Sequence, residues 1–473
     1  VRRTNDISAS YAKGFETLTA EVVLDSLAVK GKSPDWLQGT LLRNGPAGYG
    51  LKNRHLHWFD GLAMLHAFSI KGGKVAYANK YLQTHNYREV QETGKIAAPG
   101  FGADPCRTIF QRAMSLFQPL GYDNANVNIS QLAGEFVAMT ETPMPIKFDL
   151  PTLKTLGTFS FEDNLKGAAT TAHPHFDFRL KSPINYLLEF SRISKYHLYA
   201  LPPGGRKRQV IASVETREPA YMHSFGMTEN YLLLAEFPLV VNPLKVLLSN
   251  QGFIRNYEWK PQRGTTFLAI NKNDGRVKQW TSEAFFAFHH INAFESGDDI
   301  FLDISAYPDT RLIDAFYMDN LKAGKPVPTA EFRRYRLGAV SSSASYQVLG
   351  DQAIELPRIN YKQANAQAYR FAYGCSFRQD RPGDFMNQLL KVDVVEDKSW
   401  VWLEDGCYPG EPVFVASPNA GGEDDGVLLS VVLDSHKGNS FLLVLDASSF
   451  AEVARAEVPH PVPFGFHGQF FAG

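Results

Sequence analysis

Along most of this chain, apolar residues alternate with polar ones or gather in short blocks, and turn residues interrupt them at regular intervals. The clearest unit runs from Phe288 to Glu295, through Ser296-Gly297-Asp298-Asp299, to Ile300–Ile304. It reads as a hairpin whose first strand opens on histidine. The same unit stands earlier as Tyr221 to Thr228, a turn at Glu229-Asn230, and Tyr231 to Phe237. A looser copy leads from Ala172-His173-Pro174-His175-Phe176-Asp177 into a strand over 184–190. Another hairpin is expected over 62–82, turning at Lys71-Gly72-Gly73, and single strands over 136–140, 147–150, 209–214, 265–270, 388–394, 427–432 and 441–445.

Four segments stand apart from this rhythm. Gly39 to Pro46 reads as a strand stopped by its Gly-Pro pair, and 94–102 as a loop. Asp104-Pro105 opens a helix to Phe117, with Ile109, Phe110, Met114 and Phe117 on one face and Arg107 and Arg112 elsewhere. The stretch 239–248 is apolar, follows Pro238, contains Pro243, and is too short to span a bilayer. Strands recurring with few helices imply a sandwich, barrel or propeller, and a tandem this long favours a propeller of roughly 6–8 blades. Neither a linker nor a low-complexity segment divides the chain, so one domain over residues 1–473 is expected.

Composition narrows the function classes. Lys plus Arg is 48 and Asp plus Glu 49, a formal charge of -1 that gives no reason to expect a nucleic-acid partner. Cys106, Cys375 and Cys407 are too few and too scattered for a disulfide framework or a thiolate zinc site. Unpaired, they suit a reducing compartment, and a cytoplasmic location is expected. The start Val1-Arg2-Arg3 lacks a signal-peptide core, and a first residue of valine implies a missing or processed terminus.

Of the 13 histidines, His173, His223, His289 and His467 share a setting of small or aromatic neighbours at the edge of an apolar strand. A hydrogen-bonded core histidine explains any one of them. Four in repeated settings point instead to a metal, because equivalent positions of separate blades converge on a propeller axis. Imidazoles without thiolate suit Fe, Cu, Zn or Ni. His467 lies six residues from the C-terminus, which makes sense if the last strand closes the ring. Glu141, Glu355 and Glu411 stand in apolar or turn-like settings; each reads by itself first as an ordinary strand-end glutamate, with an acceptor for an imidazole N–H as the alternative.

The motifs Ala172-His173-Pro174-His175-x-Asp177, His223-Ser224-Phe225-Gly226-x-Thr228, Phe288-His289-x-x-Asn292-Ala293-x-Glu295 and Phe466-His467-Gly468 together resemble the signature of the carotenoid cleavage oxygenases. The likeness runs from Gly39-Thr40-Leu41-Leu42-Arg43-Asn44-Gly45-Pro46 to Phe470. Within the family, Trp58-Phe59-Asp60-Gly61, Asp104-Pro105-Cys106 and Glu423-Asp424-Asp425-Gly426 are most similar to the animal-type branch of β-carotene oxygenases and the retinoid isomerohydrolase.

The resemblance implies an all-β, seven-bladed propeller with a cap of loops and short helices over the active-site face, the cap including 104–118 and 238–258. It implies Fe(II) held by His173, His223, His289 and His467, with Glu141, Glu355 and Glu411 pairing in order with His223, His289 and His467. His173 would lack a carboxylate, and His175 and His290 align as non-ligands. Phe59 and Thr140 are expected against the substrate; a lysine occupies the Thr140 position in stilbene-cleaving members, so a phenolic stilbene is disfavoured. The activity implied is oxidative cleavage of a carotenoid or apocarotenoid with dioxygen, centrally to retinal-type aldehydes. Eccentric cleavage, a stilbene-like substrate and a non-catalytic polyene-binding propeller are the alternatives. Ile109, Phe110, Met114, Phe117, Leu244, Leu247 and Leu248 are the expected contacts with a membrane surface.

Overall fold

Hydrogen bonding gathers the alternating segments into seven antiparallel sheets of four to six strands, each a blade of a β-propeller, beside one two-stranded ribbon. The structure is a computed structural model that describes residues 10–105 and 121–473, the side chains of Leu247 and Leu248 excepted. Most blades are simple meanders. One contains Asn128–Leu132, Glu135–Met139, Ile146–Phe148 and Thr155–Thr158; another His290–Ser296, Asp299–Ala306, Glu331–Leu337 and Ser345–Val348. The inner strands are buried on both faces, which accounts for apolar runs such as Leu232 to Ala235 where half-exposed strands would alternate.

The two chain ends interlock the ring. Gly468–Ala472 pairs antiparallel with Gly39 to Arg43 and so completes the first blade from the C-terminus. Ala28–Gly31, near the N-terminus, pairs with Ala454 to Glu457 and completes the last. Gly468 must be glycine at this seam, since a Cβ there would stand 2.2 Å from the Leu42 carbonyl oxygen.

The Lys71–Lys74 turn forms as expected, with Gly72 and Gly73 at φ 56° and 75°, the conformation a two-residue hairpin loop demands. The stop expected at Gly45-Pro46 does not occur. Strand Gly39–Gly48 runs through both residues, and Pro46 pairs with Ala63. Its other neighbour covers only Gly39 to Arg43, so no partner strand requires the amide hydrogen that proline lacks. A helix that the apolar pattern does not single out spans His85–Thr93, with the Thr84 hydroxyl accepting from Tyr87 N–H at 3.1 Å and Gly94 closing it at φ 74°.

The helix expected to Phe117, with Ile109, Phe110, Met114 and Phe117, lies outside the described residues. Asp104 at its start accepts from the Arg255 guanidinium at 2.6 Å and Gly252 N–H at 3.1 Å. The apolar stretch beyond Pro238 becomes two elements: Leu239–Val240 pairs with Glu258–Trp259, and Pro243–Leu248 is a helix capped by the Asn242 side chain. Among the described residues no helix is long and apolar enough to cross a membrane.

Candidate metal centre

Three of the four histidines stand just before the inner strand of a blade: His173 before His175–Asp177, His223 before Gly226–Met227, and His289 before His290–Ser296. His467 immediately precedes the closing strand Gly468–Ala472. Their ligand-capable nitrogens all lie within 4.8 Å of one another. Nε2 of His173 is 3.0 Å from Nε2 of His223, and Nε2 of His289 is 3.2 Å from Nε2 of His467.

The outward nitrogens determine what faces inward. Nδ1 of His223 meets Glu141 Oε1 at 2.6 Å, Nδ1 of His289 meets Glu355 Oε2 at 2.5 Å, and Nδ1 of His467 meets Glu411 Oε1 at 2.7 Å. With the proton on each Nδ1, donated to a carboxylate, each Nε2 carries its lone pair toward the centre. His289 and His467 then oppose two lone pairs across 3.2 Å, an arrangement that repels unless a cation lies among them. A metal fits this donor set. Among the described residues no carboxylate hydrogen-bonds His173, whose N–H of the main chain is held by the Thr171 hydroxyl at 3.0 Å.

Burial keeps the imidazoles of His173, His223 and His467 neutral. It lowers His173 well below the usual histidine range, helped by the neighbouring His467, His223 and His289, and lowers His223 despite the pull of Glu141. His467 is pushed down to about 3, again by burial first. The carboxylates respond in the opposite sense. Burial alone would raise Glu355 and Glu411, yet His289 and hydrogen bonds from Leu356 N–H and Tyr307 hold Glu355 low. Arg358, His467 and Arg43 hold Glu411 well below the carboxylate range.

Four supporting residues escaped the sequence reading. The Tyr221 hydroxyl donates to Glu141 at 2.7 Å and that of Tyr307 to Glu355 at 2.8 Å. Arg43 reaches Glu411 at 2.5 Å and Arg358 at 2.8 and 3.1 Å. Only Tyr221 left a signal, two residues before His223 on one side of an extended segment. The arginines come from strands remote in sequence, and nothing local marks them.

The centre separates two openings. On one side is an apolar cavity walled by Trp58, Phe59, Phe288, Phe316, Phe377 and Phe466, with His223, His289 and His467 at its edge. Phe59 places its ring edge-on to Phe466, 4.9 Å between centroids, and tilted against Phe288 at 5.5 Å. On the other is a wider, more polar channel that reaches His173, His289 and His467. Thr140 is buried beside Glu141 and lines neither opening. His175 and His290 face the channel and are engaged elsewhere: His175 Nε2 donates to Phe225 O at 2.8 Å, and His290 Nδ1 lies 2.8 Å from the Ser224 hydroxyl.

The family model described as retinal pigment epithelial membrane protein (RPE65) matches residues 15–472. The "Carotenoid-cleaving dioxygenase, mitochondrial" of Mustela putorius furo is 36% identical, covering 96% of this chain and 94% of that protein. Human "Beta,beta-carotene 15,15'-dioxygenase" is 33% identical over 93% of this chain and 91% of its own length. Among solved structures, a Glu150Gln mutant of the Synechocystis apocarotenoid oxygenase superposes with a TM-score of 0.88 at 25% identity, covering 98% of this chain and 99% of that one.

Proposed function

The chain belongs to the carotenoid oxygenase family that the retinal pigment epithelial membrane protein model describes, and from that premise we propose that it is a non-haem Fe(II) dioxygenase cleaving a carbon–carbon double bond of a carotenoid or apocarotenoid. The observation that carries the metal is the inward set of Nε2 lone pairs on His173, His223, His289 and His467, three of them fixed by Glu141, Glu355 and Glu411. Iron among the imidazole-binding metals follows from an oxidative reaction shared with the relatives.

When bound, the iron supplies a reducing centre at which dioxygen is activated. The chain's own residues do the rest. The three carboxylates keep each Nδ1 protonated and each ring in one orientation, so the donor set does not rearrange between turnovers. Phe59, Phe288 and Phe466 form an apolar wall that holds a polyene beside the centre by contact area, and the same wall excludes bulk water. One dioxygen is consumed per double bond. Each of its atoms ends in one of two carbonyl groups as the carbon–carbon bond breaks, so no further reductant is needed. The human relative's name, a β,β-carotene 15,15'-dioxygenase, favours central cleavage to retinal-type aldehydes.

A water-insoluble polyene must be drawn from lipid, and we infer a membrane surface as the second partner. Leu244, on the helix Pro243–Leu248, is 64% exposed, as an inserting residue would be. Leu244, Leu247 and Leu248 changed together to Ser are expected to lower flotation with liposomes and to spare turnover of detergent-presented substrate; unchanged flotation rules this helix out as the anchor.

The activity is tested by incubating iron-loaded protein with β-carotene and β-apocarotenals and identifying products by chromatography. Two aldehydes per cleaved polyene are expected. Iron bound at one equivalent with no aldehyde from any polyene overturns the proposal.

A further inference from the structure

In several blades the chain crosses the centre in the same direction. Phe288 walls the apolar cavity, His289 is at the centre, and His290 and Ile291 line the channel beyond. Phe466, His467 and Gln469 repeat that order at the closing strand, and Leu356 and Arg358 straddle it in a further blade. The histidines are therefore a septum between two compartments of different character, one almost wholly apolar and the other of mixed polar and apolar lining.

The apolar side offers aromatic and aliphatic surface to anything that approaches. The axial side is larger, about 380 Å³, and presents Asn128, Ser130, Gln131, Ser224 and Gln469 along the inner strands. Among the described residues the guanidinium facing it is that of Arg358, which is held at the wall by Glu411 at 2.8 Å and by the Gly468 carbonyl and does not extend into the channel. A hydrated divalent ion must exchange its water shell for protein ligands stepwise. Hydroxyl and amide oxygens along a wet channel allow this, and a wall of phenylalanines does not.

We propose that the metal loads and leaves through this axial channel, from the propeller face opposite the apolar cavity, so that metal exchange and occupation of the cavity by a polyene are independent. The proposal rests on the reading of the four histidines as a metal site. It assigns Ser130 and Gln469, half-buried channel residues outside the donor set, as control points of exchange.

The test loads the full chain with Fe(II) or Co(II), records stoichiometry, and follows loss of metal to a water-soluble chelator by absorbance. Ser130→Trp and, separately, Gln469→Trp are expected to keep one equivalent of metal and to slow its loss at least tenfold. Phe377→Ala, which widens the apolar cavity, is expected to leave the rate unchanged, as is saturation with a non-cleavable apolar ligand. Two tryptophan variants guard against one failing to fold, and thermal melting identifies such a failure. Rates unaffected by either tryptophan, or slowed by the apolar ligand, overturn the channel route. Absence of stoichiometric metal in the unaltered chain overturns the metal site itself, a separable result.

Discussion

At the scale of single residues, neighbours in sequence do unlike things. His289 turns Nε2 to the centre and Nδ1 to Glu355, whereas His290, one residue on, places Nδ1 against Ser224 in the channel. An inner strand sends successive side chains to opposite sides, so a shift of one position exchanges the centre for the channel wall. His289→Ala is therefore expected to abolish stoichiometric metal binding, and His290→Ala to leave it nearly intact, as read by elemental analysis of the purified variants. Equal loss in both would show that the register is misread. The Glu423-Asp424 pair also finds its reason here. Glu423 accepts from the main-chain N–H groups of Arg370 and Phe371 at 2.9 and 2.7 Å, and Asp424 neutralises the buried Lys391 at 2.7 Å. Both tie neighbouring blades together and neither reaches the centre.

Among the elements, the short turn Trp58–Asp60 joins the cavity wall to the loop over residues 100–103. Asp60 accepts from His57, Gly102 and Ala103 N–H at 2.9, 3.2 and 2.8 Å, while its other oxygen is buried without a hydrogen-bond partner among the described residues. Burial pushes its carboxyl up to about 6, against the downward pull of those N–H groups. The folded value lies above the unfolded one, so the protonated form is favoured by folding. Its contribution to stability is complete below about pH 4 and is lost as pH rises through about 6. Asp60→Asn removes the titration and keeps an acceptor. The stability of the unaltered protein relative to this variant is expected to fall by on the order of 2 kcal/mol between pH 4 and pH 7. Paired thermal melts across that range measure it, and a constant difference would contradict it.

For the whole molecule, stability and the centre depend on the same seam. The closing strand Gly468–Ala472 bonds to Gly39–Arg43, while its Gly468 N–H donates to Glu411 at 3.0 Å beside the His467 contact. Deleting residues 468–473 exposes two strand edges, frees His467 from its register and leaves the Arg358–Glu411 pair short of a partner. A marked fall in the thermal midpoint together with loss of metal is expected. An unchanged midpoint would mean that the ring holds without its last strand.

The sequence by itself determined the class of fold, the hairpins and the four histidines. Each rests on local chemistry: alternation with period two, glycines at turns of positive φ such as Gly72 and Gly73, and a histidine recurring at one place in a repeated unit. Pairings such as Glu355 with His289 were legible through family likeness alone, since 66 residues separate the two. Tertiary structure decided what local chemistry cannot encode. It carried strand Gly39–Gly48 through Pro46, because the closing strand on that side stops at Arg43 and leaves no acceptor waiting for the missing N–H. It brought Arg43 from the first blade and Arg358 from the neighbouring blade together onto Glu411. It also divided the axis into an apolar cavity and a channel of mixed lining, since which side of the centre a residue faces depends on the direction in which each inner strand crosses it.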